Sequence, residues 1–111
     1  MSTEDWSENI KMIQLLDDPE FSDEISSLIE QMESKPTDLV LNLSQVNFLN
    51  SSNISRLLKL RKVLLDRNCQ LVLCAIPVQV WGVFLLTGLD SLFDVAEEPA
   101  SALASLQLKK A

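Results

Sequence analysis

Apolar residues recur along this chain in two different patterns, one typical of amphipathic helices and one of buried strands. Over residues 20–33 they fall at spacings of three and four with acids on the opposite side, which predicts a helix with one face on a core. Residues 38–43 and 70–75 are short, mostly apolar runs of the kind found in strands buried on both faces of a parallel sheet. The helical stripe comprises Phe21, Ile25, Leu28, Ile29 and Met32.

The remaining segments continue this alternation of strands and helices. Strands are predicted over residues 10–16 and 92–95, and helices over 52–66, 77–87 and 99–108. Gly88 can take the left-handed position that closes the third helix. Helices of roughly 11–15 residues between strands indicate repeated βαβ units. We therefore expect a single α/β domain over residues 1–111, with a mostly parallel, mixed sheet of about four to five strands and helices packed against it. An extra edge strand at the start is left open.

Composition and charge exclude several classes of function. The chain has 111 residues, 47% of them hydrophobic, which is typical of a globular domain. Its net charge of −7 argues against a nucleic-acid partner. The acidic N-terminus is unlike a secretory leader. The longest nearly apolar run, residues 75–86, is interrupted by a proline and falls short of the roughly 20 residues that span a bilayer. We expect a cytoplasmic protein without a membrane partner.

Few residues suited to catalysis or metal binding are present. The chain contains no His, which removes the commonest general base and most metal sites, so we expect no metal and no cofactor. Cys69 and Cys74 are interpreted as small apolar residues in a reducing compartment, with a disulfide or metal pair as the alternative. A small α/β enzyme or phosphocarrier is disfavoured because a Gly-rich loop and a carboxylate pair in the polar turn are also missing.

The most unusual polar segment is the turn of residues 50–53, Asn-Ser-Ser-Asn, which opens the second predicted helix. Asn and Ser are preferred at helix N-termini, so plain capping explains at least one of these residues. Four in succession exceed what capping needs. A phosphate on Ser51 would add roughly −1.5 to −2 charges at the positive end of a helix, beside Arg56.

Two surface features suggest contacts with other molecules. The second helix carries Arg56, Lys59, Lys62 and Arg67, which form either a solvated face or a docking surface for an acidic patch. Phosphate binding there is a weaker alternative. On the third helix Val80, Phe84, Leu86 and Leu89 are predicted to face the core. Trp81 and Leu85 are then predicted to be exposed and to form an interface, a homodimer contact included, with a core role for Trp81 as the alternative. Trp6 is expected to cover an edge of the sheet.

From residue 38 onward the order of features resembles the STAS domain family, and most closely its free-standing anti-sigma factor antagonists. An apolar strand ends in Asn-Leu, a Phe follows, and Asn-Ser-Ser-Asn-Ile opens a basic helix. Later segments read Gln-Leu-Val-Leu-Cys-Ala-Ile-Pro and Thr87-Gly88-Leu89. The resemblance is good over residues 38–108 and loose before them. In that family the turn usually reads Asp-Ser-Ser-Gly or Asp-Ser-x-Gly, so Asn50 and Asn53 are departures.

The resemblance implies a bacterial anti-sigma factor antagonist that performs no chemistry itself. Unphosphorylated, such a protein binds a kinase-like anti-sigma factor and frees the sigma factor. Ser51 matches the residue that this kinase phosphorylates and Ser52 its neighbour, and the partner would contact residues 50–53, Arg56 and Lys59. The two asparagines put efficient phosphorylation in doubt. The alternative is a STAS scaffold subunit of a larger signalling or transport assembly.

Overall fold

The computed structural model describes the backbone of residues 3–7 and 9–110 and the side chains of residues 9–108. From residue 10 onward, strands and helices alternate as the hydrophobic pattern predicts. The strands are β1 (Thr3–Ser7), β2 (Ile10–Gln14), β3 (Asp38–Asn42), β4 (Leu71–Cys74) and β5 (Asp94–Ala96). The helices are α1 (Glu20–Ser34), α2 (Ser51–Asp66), α3 (Val78–Thr87) and α4 (Pro99–Lys110), with a short 3-10 turn at Leu89–Ser91.

The described strands form one sheet in the order β1-β2-β3-β4-β5. β1 runs antiparallel to β2, and β2 to β5 are parallel to one another. The predicted mixed, mostly parallel α/β sheet is therefore confirmed. The extra edge strand that the sequence left open is β1. The side chain of Trp6 lies outside the described residues, so its role at the edge stays a prediction.

The core has two parts, one on each face of the sheet. Leu39 and Leu41 of β3 lie with α1, α2 and α3 in the larger part, and Val40 between them points to the opposite face. There it meets Ala102, Leu103 and Leu106 of α4. Alternate residues of β3 are thus buried on both faces, as its unbroken apolar sequence predicts. The apolar stripe of α1 is also buried as predicted.

Two local expectations need correction. Leu86 was expected in the core, yet it is 90% exposed. The buried face of α3 is set by Val80 and Phe84, four residues apart, and a residue two positions after Phe84 lies on the far side of the helix. Strand β2 ends at Gln14, two residues before the predicted end. Gly88 takes φ of 76°, which confirms its predicted role in closing α3.

Both cysteines are free thiols, so the disulfide alternative is wrong. Cys74 lies in β4 and is buried against the α4 side of the sheet. Burial raises the pKa of its thiol to about 11, because the thiolate would lose its hydration. Cys74 therefore acts as a small apolar core residue. Among the helices of the described residues, none has the length and apolar character needed to cross a membrane.

Candidate functional site: the exposed serine turn

The polar turn is organised by a reciprocal cap at the start of α2. Asn50 is the N-cap residue, with extended backbone angles, and its Oδ1 accepts from the Asn53 backbone N–H at 2.8 Å. Asn53 Oδ1 accepts in return from the Asn50 backbone N–H at 3.1 Å. This is a capping box with asparagine at both positions. The capping interpretation is thus correct for the two asparagines.

Asp18, in the segment between β2 and α1, also fixes this turn. It follows β2, and the carboxyl ends of adjacent parallel strands open on the same edge of a sheet. Asp18 Oδ2 accepts from Asn53 Nδ2 at 2.9 Å and from Asn50 Nδ2 at 3.2 Å. Its Oδ1 accepts from the backbone N–H and the hydroxyl of Ser22 at 2.9 and 2.7 Å. One carboxylate therefore joins the beginnings of α1 and α2.

Asp17 fixes the loop just before the turn. Its Oδ1 accepts from the Asn47 backbone N–H at 2.8 Å, and its Oδ2 accepts from Asn47 Nδ2 at 2.7 Å. The next residue, Phe48, is 58% exposed, while Leu49 is buried. A large aromatic side chain thus lies in solvent on a loop that is held on both sides by carboxylates.

The arrangement leaves both serines outside the hydrogen-bond network. Ser51 is the first residue of α2, and the side chains of Ser51 and Ser52 are exposed. Within the described side chains, residues 9–108, neither hydroxyl makes a hydrogen bond of its own. Since the asparagines supply the cap, the serines are free to contact another molecule at the positive end of the helix.

These hydrogen bonds depress the pKa of both acids. The pKa of Asp18 falls from 3.8 to about 2, chiefly because the Ser22 hydroxyl and then the Asn53 amide donate to the carboxylate. The pKa of Asp17 is lowered mainly by the Asn47 side chain. A carboxyl with a lower pKa in the folded state stabilises the fold above its unfolded pKa, and this contribution is lost as the pH falls through the folded pKa.

Asp18→Asn should therefore destabilise the protein at neutral pH, and the difference from wild type should shrink between pH 3.8 and about 2. At the acid end, the wild-type residue is protonated and resembles the amide. Urea denaturation at several pH values measures this. Asp23→Asn, at an exposed acid of α1, is the matched control and should show a smaller pH-dependent difference. A difference for Asp18→Asn that persists undiminished at pH 2 would contradict the assignment.

A family model, "STAS domain", matches residues 16–102 of the chain. This chain belongs to the STAS domain family. The match begins within the first 37 residues, where the sequence resemblance is loose, and so extends the family assignment across α1, starting two residues after the end of β2.

Solved structures agree on the fold at low sequence identity. A Thermotoga maritima protein described as an anti-sigma factor antagonist has a TM-score of 0.85 and 14% identity, over 96% of this chain and 93% of its own. A serine-to-glutamate variant of RsbS from Moorella thermoacetica has a TM-score of 0.83 and 14% identity, over 98% and 96%. The anti-sigma factor antagonist SpoIIAA in its unphosphorylated form has a TM-score of 0.74 and 13% identity, over 96% of both chains.

The basic side of α2 is less uniform in this STAS domain than its sequence indicates. Arg56 and Lys59 line a cleft of about 270 Å³ together with Glu30 and Glu33 of α1. Acids of the same molecule thus lie beside the two cations proposed to contact a partner. Farther along, Lys62 Nζ lies 3.5 Å from Asp66 Oδ2. The basic side of α2 is therefore interrupted by acids of the same molecule, and partner binding by Arg56 and Lys59 stays a prediction.

Trp81 of α3 is neither fully exposed nor fully buried, so it agrees in part with both of its interpretations. Trp81 is partly buried against the larger core and stacks on Phe84, with ring centroids 5.9 Å apart. Leu85 is 54% exposed. The expected exposure is correct for Leu85, whereas Trp81 contributes to the core because it lies three residues before Phe84, on the same side of the helix. An interface role for the pair stays a prediction.

Sequence reasoning missed three residues that shape the serine turn, Asp17, Asp18 and Asn47. By themselves, two acids and a proline after a strand indicate only that the strand ends there. Their position at the end of a strand parallel to β3 was the available signal, because parallel strands bring such ends together. The exposed Phe48 was likewise used only as a family marker.

Proposed function

We propose that this STAS domain is a cytoplasmic anti-sigma factor antagonist, a non-enzymatic module that binds a kinase-like anti-sigma factor while Ser51 is unphosphorylated. The observation that carries the proposal is the exposed Ser51 hydroxyl at the start of α2, on a turn whose cap is supplied entirely by Asn50 and Asn53. A kinase can approach this hydroxyl without first breaking a hydrogen bond that supports the fold. Phosphorylation would end the complex.

The charges around the turn support a switch of this kind. Asp18 lies within hydrogen-bond distance of both asparagines that flank the serines. A phosphate on Ser51 would add roughly −1.5 to −2 charges next to a region that already carries carboxylates. The helix N-terminus offsets part of this within the fold. A partner surface that fits the neutral hydroxyl would clash with the larger phosphate and would have to accommodate its negative charge. Phosphorylation would therefore weaken the complex.

The exposed Phe48 extends the proposed contact surface beyond the serines. Aromatic side chains that fill a pocket on a partner often dominate binding energy. Phe48 lies on a loop fixed by Asp17 and Asn47, so little conformational entropy would be lost when it is bound. We infer that the partner contacts Phe48 and Ser51 together.

A second candidate is a scaffold subunit of a larger signalling or transport assembly. The apolar side chains exposed on α3 favour it, because assembly subunits bury such faces permanently. Sedimentation of the protein with and without its kinase separates the two: an antagonist gives a small complex that phosphorylation dissolves, whereas a scaffold subunit gives a large assembly that persists.

Phosphate transfer to Ser51 is the direct test of the site. Each purified kinase-like anti-sigma factor from the same genome is incubated with Mg-ATP and the protein, and the modified residue is mapped by mass spectrometry. We expect phosphate on Ser51, none on Ser51→Ala, and transfer retained by the matched control Ser52→Ala. Because Asn50 offers a neutral amide where the family usually has Asp, the wild-type rate should be low. Transfer to Ser52 alone, or transfer unaffected by Ser51→Ala, would contradict the assignment.

A further inference from the structure

The outer face of α3 exposes more apolar surface than the fold itself requires. Val78 is 87% exposed, Leu85 54% and Leu86 90%. Val78 and Leu85 are seven residues apart and lie on one side of the helix. Single exposed apolar residues are ordinary, but three on one ten-residue helix form a contiguous patch. We call Val78, Gly82, Leu85 and Leu86 the α3 face.

Gly82 gives an independent reason to regard this face as a contact. It lies in the middle of α3, where Gly lowers helix stability relative to Ala. Its backbone does not take a positive φ, and a Cβ built there would meet nothing within 4 Å. Among the residues whose side chains the structure describes, neither a turn nor packing needs the missing side chain. Gly82 lies on the same side of the helix as Val78 and Leu85, four residues after the first and three before the second. Because it has no side chain, the helix backbone is accessible there, between exposed apolar side chains.

The segment that follows α3 along the chain is acidic. Residues 68–108 contain four acids and no Lys or Arg. Asp90, Asp94, Glu97 and Glu98 are all exposed. Asp94 lines a cleft with Arg61 of α2, so the acids left for a partner's cations are Asp90, Glu97 and Glu98. Glu97 also lines a depression of about 290 Å³ with Trp81 and Val95, between α3 and β5. An apolar strip with an acidic surround complements a surface that combines apolar and cationic side chains.

We propose that the α3 face binds an amphipathic helix of a partner protein, one whose apolar side carries leucine-like residues flanked by Lys or Arg. The backbone of such a helix can approach closely over Gly82, its apolar residues cover Val78, Leu85 and Leu86, and its cations meet the surrounding acids. A second copy of this chain is a poorer occupant, because a symmetric contact through α3 would bring two acidic surrounds together. This site is separate from the serine turn and does not depend on the function of Ser51.

The test uses two synthetic amphipathic helices of roughly 18 residues, five turns, one built from Leu and Lys and the other from Leu and Glu. Titration calorimetry with the full chain should detect binding of the Leu/Lys peptide, weakened by salt, and at least tenfold weaker binding of the Leu/Glu peptide. Gly82→Leu and Leu86→Ser should each weaken Leu/Lys binding at least tenfold. Leu65→Ser, at an exposed leucine of α2, is the matched control and should bind normally. Gly82→Ala should raise the urea midpoint of the free protein.

Leu86→Ser changes a side chain that is almost wholly in solvent, so it should fold as wild type does, and circular dichroism verifies this. Equal affinity for both peptides, or Leu/Lys binding that neither α3 variant weakens, would overturn the proposal. Sedimentation velocity of the free protein tests whether the α3 face instead binds a second copy of the chain. A monomer at all concentrations agrees with the proposal, whereas a dimer that Leu86→Glu dissociates would assign the α3 face to a second copy instead.

Discussion

Asn53→Ala should lower the free energy of unfolding by about 2–3 kcal/mol. Asn53 is only 2% exposed, and its amide group makes three hydrogen bonds: its oxygen accepts from Asn50, and its nitrogen donates to Asp18 and Ser22. Alanine would remove half of the capping box and leave the Asn50 backbone N–H without its acceptor. It would also remove a donor to a carboxylate, a bond stronger than one between neutral groups.

Urea denaturation of Asn53→Ala and of Ser52→Ala provides the comparison. Ser52 is adjacent in the same helical turn but exposed, so its replacement should change stability by no more than about 0.5 kcal/mol. Equal, small losses for the two variants would show that the Asn53 network adds little to stability, and the description of the turn as internally fixed would be wrong.

The role of Asn53 changes how its departure from the family pattern is understood. As departures from the family pattern, Asn50 and Asn53 are expected to weaken phosphorylation, and the double change Asn50→Asp with Asn53→Gly would test this. Glycine at position 53 would lose the same bonds as alanine. Aspartate at position 50 would place a carboxylate where an amide now lies 3.2 Å from Asp18. The phosphorylation rates of the double variant and of Asn50→Asp alone must therefore each be interpreted together with the urea midpoint of the same protein.

Local patterns were sufficient to predict most of the fold. The apolar stripe of α1 and the unbroken apolar runs of β3 and β4 specify which faces are buried, because periodicity follows directly from helix and strand geometry. The left-handed Gly88 follows from its place after a helix. The edge strand β1 could not be predicted firmly, since its residues are mainly polar and its pairing with β2 depends on the assembled sheet.

The serines and the cap of the candidate site could be predicted from sequence, but the distant carboxylates that hold the turn could not. Asn50 and Asn53 are three residues apart, and a cap is a local feature that sequence can indicate. Asp18 lies 32 residues from Asn50, and Asp17 lies 30 from Asn47. Contacts at such separations depend on how strands align in the sheet, which no local pattern contains. The same reason explains why the acids facing Arg56 and Lys59 were not anticipated.

Ser51→Asp should weaken binding to the kinase-like anti-sigma factor at least tenfold, about 1.4 kcal/mol. Aspartate adds one negative charge at an exposed position beside the Asp18 network, where a phosphate would lie. The change should leave the fold intact because an acid is favourable in the first turn of a helix. Ser51→Ala removes the hydroxyl without adding charge, so it should bind normally and resist the kinase.

The proposed switch is tested most directly by calorimetric titration of the purified kinase with wild type, Ser51→Ala and Ser51→Asp, each verified as folded by circular dichroism. The account predicts similar dissociation constants for wild type and Ser51→Ala, and one at least tenfold larger for Ser51→Asp. Equal affinity of all three proteins for a kinase that binds wild type would contradict it, because the charge at Ser51 would then have no effect on the complex.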